Sequence, residues 1–212
     1  MNFSTDRDLL IYEPTLFNDL PWVSQQRLSV TDGEVSGTTL TSIAADFEAA
    51  QVETGSVLLV NGTPVEVLTR TDSMTLTVSL ARTKTTGTAL PPGDVTSATV
   101  IARTFAPQAE LVCQSLLRML GLDRDDPFQP LDGDAVVSLS LMARLEALGT
   151  LERVFSSAAA LTGDNDVLLF KAAEYRRRFQ EAARRCPLLI DTTGDGLPDE
   201  KRYIAVGRMT RI

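Results

Sequence analysis

Histidine is absent from this chain of 212 residues, and cysteine occurs only twice. Without an imidazole, a Ser-His-Asp triad, a Cys-His pair and a histidine metal site are all excluded. Carboxylates, lysine or an unaided thiol are left as candidate catalytic groups. Cys113 and Cys186 stand far apart with no CxxC spacing, so two buried, reduced thiols are expected rather than a disulfide. Long apolar runs are missing too: stretches such as Val57 to Val60 and Val167 to Phe170 fall far short of the ~20 residues of a spanning helix. The opening MNFSTDRDLL has neither a basic region nor an apolar core, so no secretory signal is expected and synthesis is assigned to the cytoplasm. There is no G-x-x-x-x-G-K-[ST] and no G-x-G-x-x-G opening a helix, hence no cradle for nucleotide phosphates.

What is present suffices for a globular protein. Apolar residues make up 43% of the chain and 13 glycines add to them, which is the ordinary range for a chain with a buried core. The length fits one large domain or two small ones. Acidic residues number 28 against 20 basic ones, a net charge of −8. That balance opposes a DNA-gripping role, which calls for a basic excess.

The pattern changes near Phe105. Before it, threonine, valine and glycine alternate in short runs. Val57 to Val60 and Val65 to Arg70 read as two strands joined by Asn61-Gly62, a dipeptide suited to a type I′ turn. Met74, Leu76, Val78 and Leu80 alternate with polar residues as a half-buried strand does. Arg82 to Asp94 has no periodicity and contains Pro91-Pro92-Gly93, so an exposed loop is expected before a last strand at Thr99 to Thr104. Ahead of the hairpin, Thr41 is a candidate cap for a short helix with Ile43, Phe47 and Ala50 on one face. Asp6 to Trp22 mixes acids, aromatics and two prolines, and is expected to be an extended or partly helical arm that needs a partner to pack on.

After Phe105 the period becomes helical. Pro107 opens a first helix lined by Ala109, Val112, Cys113, Leu116 and Leu120, with Gly121 as its stop. Val137, Leu141, Leu145 and Leu148 form a second ending at Gly149. Leu151, Val154, Phe155 and Ala158 form a third ending at Gly163. Leu168, Ala172, Tyr175, Phe179, Ala182 and Cys186 form a fourth, which Pro187 terminates. The fold class expected is α+β: a β-rich domain of antiparallel meander and hairpins with an N-terminal arm over 1–106, a small four-helix bundle over 107–187, and an extended C-terminal tail over 188–212 with a Gly/Asp turn and a strand at Tyr203 to Met209.

Three groups are candidate sites. Asp191, Asp195 and Asp199 with Gly196 match positions 1, 5, 9 and 6 of a calcium loop, but Thr193 and Arg202 stand where an EF-hand needs acidic ligands. The group is therefore a weak cation candidate beside its reading as a solvated turn. Lys171 to Arg185 is strongly basic, yet Glu174 precedes Arg177 and Arg178, and Glu181 precedes Arg184 and Arg185, at i+3 and i+4, which supports an exposed or subunit-facing helix surface. Asp125-Asp126 and Asp132/Asp134 read as solvated loop acids with no companion base.

The closing half resembles the head-tail connector (adaptor) proteins of tailed bacteriophages and related gene transfer agents. The residues that carry the resemblance are PQAELVCQSLLRMLGL from Pro107, the basic LLFKAAEYRRRFQEAARR, and the terminal IDTTGDGLPDEKRYIAVGRMTRI. The resemblance implies a non-enzymatic ring in the virion neck, commonly dodecameric, that docks beneath the portal protein and extends the DNA channel to the tail. Its partners would be further copies of itself, the portal protein, and stopper or tail proteins, with DNA passing the lumen without specific binding, no membrane and no cofactor. The β-rich unit would be an added domain, and a tail-completion or stopper protein of the same neck is the alternative. The face of Arg177, Arg178, Arg184 and Arg185, and the tail from Tyr203 to Ile212 with Arg208 and Arg211, would make portal or intersubunit contacts, while the Arg82 to Asp94 loop would face the tail or lumen. A calcium-dependent surface binding module and an enzyme using carboxylates alone are the competing classes.

Overall fold

The computed structural model describes residues 2–122, 131–163, 165–185 and 187–204. The chain divides into two compact units, residues 5–105 and residues 1–4 with 106–212. The fold is α+β.

In the first unit, α1 (Asp6–Tyr12) and α2 (Leu16–Asp19) precede six strands: β1 (Gln25–Ser36), β2 (Thr39–Thr41), β3 (Val57–Val60), β4 (Thr63–Arg70), β5 (Thr75–Leu80) and β6 (Val95–Thr104). The strands close into an antiparallel barrel in the order β1-β2-β5-β4-β3-β6. Asn61 and Gly62 take φ of 48° and 81°, and Val60 pairs with Thr63 across them, so the hairpin turns where the dipeptide allows. Where a meander with hairpins was expected, the strands close into a barrel, and β1 is the reason. It pairs with β2 at one end and with β6 along most of its length, which removes the free edges a meander would leave. Its pairing with β6 shifts register around Gly33, a bulged bend of the kind that curls a sheet. A Cβ at Gly33 would lie 2.4 Å from Val100 Cγ2 and 3.1 Å from the Ala98 carbonyl oxygen, so any side chain there would force the neighbouring strand to shift. The barrel encloses a core that includes Val35, Leu40, Phe47, Leu58, Val67, Leu76, Val78 and Val100.

Two expectations fail here. No helix forms after Thr41: Ile43 is exposed, whereas Phe47 is fully buried and its N–H donates to the Ser73 carbonyl, so the segment is a turn that plugs the barrel. The arm is also not an unsatisfied surface. Leu9, Leu10, Leu16, Phe17 and Leu20 are buried, and Phe17 meets Phe105 edge-on at 5.2 Å between ring centroids. The arm folds because Thr5 and Asp8 form a capping box over α1, which satisfies the first orphan N–H groups.

The second unit contains α3 (Ala106–Met119), a 3-10 turn (Gly133–Ala135), α4 (Leu139–Leu161), α5 (Asp166–Arg185), and the short strands β7 (Leu188–Ile190) and β8 (Glu200–Arg202). The second and third expected helices are one. Gly149 does not stop α4, because it serves packing: a Cβ there would lie 2.8 Å from Val112 Cγ1 of α3. Residues Leu145 to Leu151 are buried on every side of α4, as in a central helix. Phe155 of α4 stacks on Tyr175 of α5, with centroids 5.8 Å apart. After Pro187 the chain does not trail away: β7 pairs with β8, and Leu188 and Ile190 are buried. The expected strand at Tyr203 to Met209 is not formed at Tyr203 and Ile204, and its remainder lies outside the described residues, as do Arg208, Arg211, Cys186, Asp125 and Asp126.

Candidate functional site

The surface with the most chemistry lies on the helical unit. Glu174, at the middle of α5, accepts from Arg177 Nε and Nη2 at 3.0 and 2.8 Å and from Arg178 Nε at 2.8 Å. The Arg177 and Arg178 hydrogen bonds hold the Glu174 carboxyl far below its ordinary range, at about 2. Arg178 also lies over the Tyr175 ring at 5.4 Å. The i+3 and i+4 spacing of Glu174 therefore works as read from the sequence. Glu181 behaves differently: it receives Arg177 Nη1 from one turn back at 2.6 Å, while Arg184 and Arg185 stand exposed. Arg176, a residue without a role in the sequence reading, bridges to Glu152 of α4 at 2.7 Å. These pairs are largely in solvent, so they order the face more than they stabilise the fold.

Beside this face α3, α4 and α5 enclose an open groove of about 420 Å³. Val112, Leu116, Gly149 and Phe179 line it together with Arg153 and Arg176. The volume lies in the range of small-ligand clefts. Sequence reasoning missed it, because its walls come from three helices far apart in the chain; the one local signal was a glycine inside a helical period. At the turn between α4 and α5, Leu161, Val167 and Phe170 are 69%, 65% and 72% exposed. Asn165 caps α5 by accepting from the Val167 N–H at 3.0 Å.

The Asp191 to Asp199 loop explains its own composition. Asp191 accepts from the N–H groups of Thr193, Gly194 and Gly196 at 3.0, 2.6 and 2.6 Å. Asp199 accepts from the N–H and hydroxyl of Thr192 and of Thr193, and Asp195 from the Leu197 N–H at 2.8 Å. Gly196 and then Gly194 and Thr193 amides draw the Asp191 carboxyl below its usual range, and the Thr192 donors do the same for Asp199. Asp191 and Asp199 converge on the Thr193 N–H while Asp195 turns to its own loop backbone; among the described residues no three acidic or thiol groups are placed to hold a metal ion. Arg202, which occupies the twelfth position, donates to the Leu120 carbonyl at the end of α3 at 2.7 Å. A cation at a helix C-terminus is favourable, so the loop is fastened to α3. Tyr203 is exposed. Asp132, one of the loop acids, accepts from the Asp134 N–H and starts the 3-10 turn.

Two buried polar clusters have structural chemistry. In the barrel unit Glu66, fully buried, accepts from Arg7 Nε at 2.5 Å and from Arg82 Nε at 2.6 Å. Arg82 also donates to the Gly87 carbonyl, so the Arg82 to Asp94 loop is anchored at its start. In the helical unit Glu146 of α4 accepts from the N–H of Phe3 and from the N–H and hydroxyl of Ser4 at 2.9, 3.0 and 2.6 Å. Burial raises its pKa. Cys113 beside it is buried, and burial followed by the charge of Glu146 pushes the thiol up to about 12, which leaves it un-ionised at neutral pH and a poor nucleophile.

The chain matches no family model, no curated protein and no solved structure.

Proposed function

We propose that this chain is a structural protein of a phage neck, a head-tail connector that forms a ring beneath the portal and extends the DNA channel toward the tail. The observation that carries the reading is the uncovered end of the α4–α5 hairpin, where Leu161, Val167 and Phe170 are exposed at the start of the basic helix that resembles connectors. Clustered exposed apolar side chains mark a partner surface. The ion-paired α5 face next to it supports the same reading, because an ordered charged rim around an apolar contact sets orientation. The net charge of −8 suits a lumen that lets DNA slide without gripping it. In this reading the protein performs no catalysis, binds no cofactor and resides in the virion; among the described residues no helix is long and apolar enough to cross a membrane.

The barrel favours a second reading within the same neck, a stopper or tail-completion protein, since those proteins are β-rich. Removing residues 205–212 keeps the buried Ile204 in place and takes away Arg208 and Arg211. Expected is loss of portal docking in co-sedimentation with unchanged helical content by circular dichroism. Full docking by the shortened chain would reject the tail as the portal contact.

A further inference from the structure

The exposed hairpin end and the groove are both on the helical unit. We infer that the α4–α5 end of one copy seats in the α3–α4–α5 groove of a second copy. The inference rests on the ring reading and adds the two surfaces that would build the ring.

The match is chemical. The hairpin end presents Leu161, Val167 and Phe170 with Asp166 in the first turn of α5. The groove offers apolar floor residues, Val112, Leu116 and Phe179, with Arg153 and Arg176 among its polar lining. Phe170 is the large side chain that such a floor would cover, and Gly149 keeps that floor open. Charges complement as well. Arg176 is already paired with Glu152, whereas Arg153 and Asp166 have no ion-pair partner among the described residues. The hairpin end cannot reach its own groove, since Ser157 of the groove lining and Leu161 are four residues apart on one rigid helix. The apolar and charge match between the two surfaces makes a second copy the occupant. The two surfaces differ, so the contact is heterologous and propagates head to tail, closing into a ring or running on as a filament.

Sedimentation velocity of the full chain from micromolar to several hundred micromolar tests this, with Phe170→Asp at the hairpin end and Ser156→Trp in the groove. The wild type is expected to associate with rising concentration. Each variant alone should weaken association roughly tenfold or more, as loss of a central contact does. An equimolar mixture of the two should form one-to-one dimers and nothing larger, because one intact end and one intact groove remain. Circular dichroism checks that both variants fold; Arg153→Glu, restored by Asp166→Arg in the same chain, replaces Ser156→Trp if that variant does not. A wild type that stays monomeric at every concentration, or a mixture no different from either variant, overturns the inference. A ring seen in particles with other surfaces in contact would overturn it while leaving the neck reading intact, and absence of the protein from particles would remove the neck reading but not a measured self-association.

Discussion

Glu66 is the residue on which the barrel unit depends most sharply. It is fully buried between Arg7 and Arg82, so its charge is tolerated only because both guanidinium groups satisfy it. Glu66→Gln leaves the arginines short of an anion in a dry site, and we expect a loss of about 3 to 5 kcal/mol, read from urea unfolding; a change below about 1 kcal/mol would contradict it. Asp6 works in the opposite sense. Burial lifts its carboxyl to about 6 from 3.8, against the hydrogen bond from the Phe105 N–H. The folded state then holds this proton more tightly than the unfolded chain, so the contribution of Asp6 to stability is complete below pH ~4 and is lost as pH rises through ~6. Asp6→Asn keeps an acceptor for Phe105 and removes the charge. It should stabilise the protein at pH 7 by roughly 1 to 3 kcal/mol, with the gain vanishing below pH ~4; equal effects at both pH values would refute this origin. Neither cluster was legible in the sequence, because Arg7, Glu66 and Arg82 meet only through the barrel and no local spacing announces them.

At the scale of elements, legibility followed local geometry. The β3–β4 hairpin could be read from alternation and Asn61-Gly62, and the Glu174 pairs from i+3 and i+4 spacing, since each is fixed by neighbours along the chain. Strand β1 gave no such signal: only Gly33 and Val35 are buried in its twelve residues, and its register shifts break the period of two. Gly149 misled for a related reason, because a glycine demanded by close helix approach looks the same in sequence as one that ends a helix. The arm, read as needing a partner, instead packs within its own unit. The close contacts at Gly33 give a direct test. Gly33→Ala forces a methyl group against Val100 and the Ala98 carbonyl, an overpacking that costs about 1 to 3 kcal/mol; a thermal melt unchanged from wild type would show that β1 and β6 can separate freely at this point.

For the whole molecule, the α+β class and the change of character near Phe105 were readable from composition and period. The groove and the exposed hairpin end were not, because three separate helices make the one and only burial reveals the other. The proposed connector role rests on those surfaces together with the resemblance of the closing half. The most direct test is cryo-electron microscopy of particles that contain the protein, or of the protein mixed with a candidate portal. A closed ring of copies at the portal–tail junction, with the helical unit at the contacts, is the predicted result. Particles whose neck contains no copy of the chain, or a portal that leaves it unbound, would contradict the connector proposal.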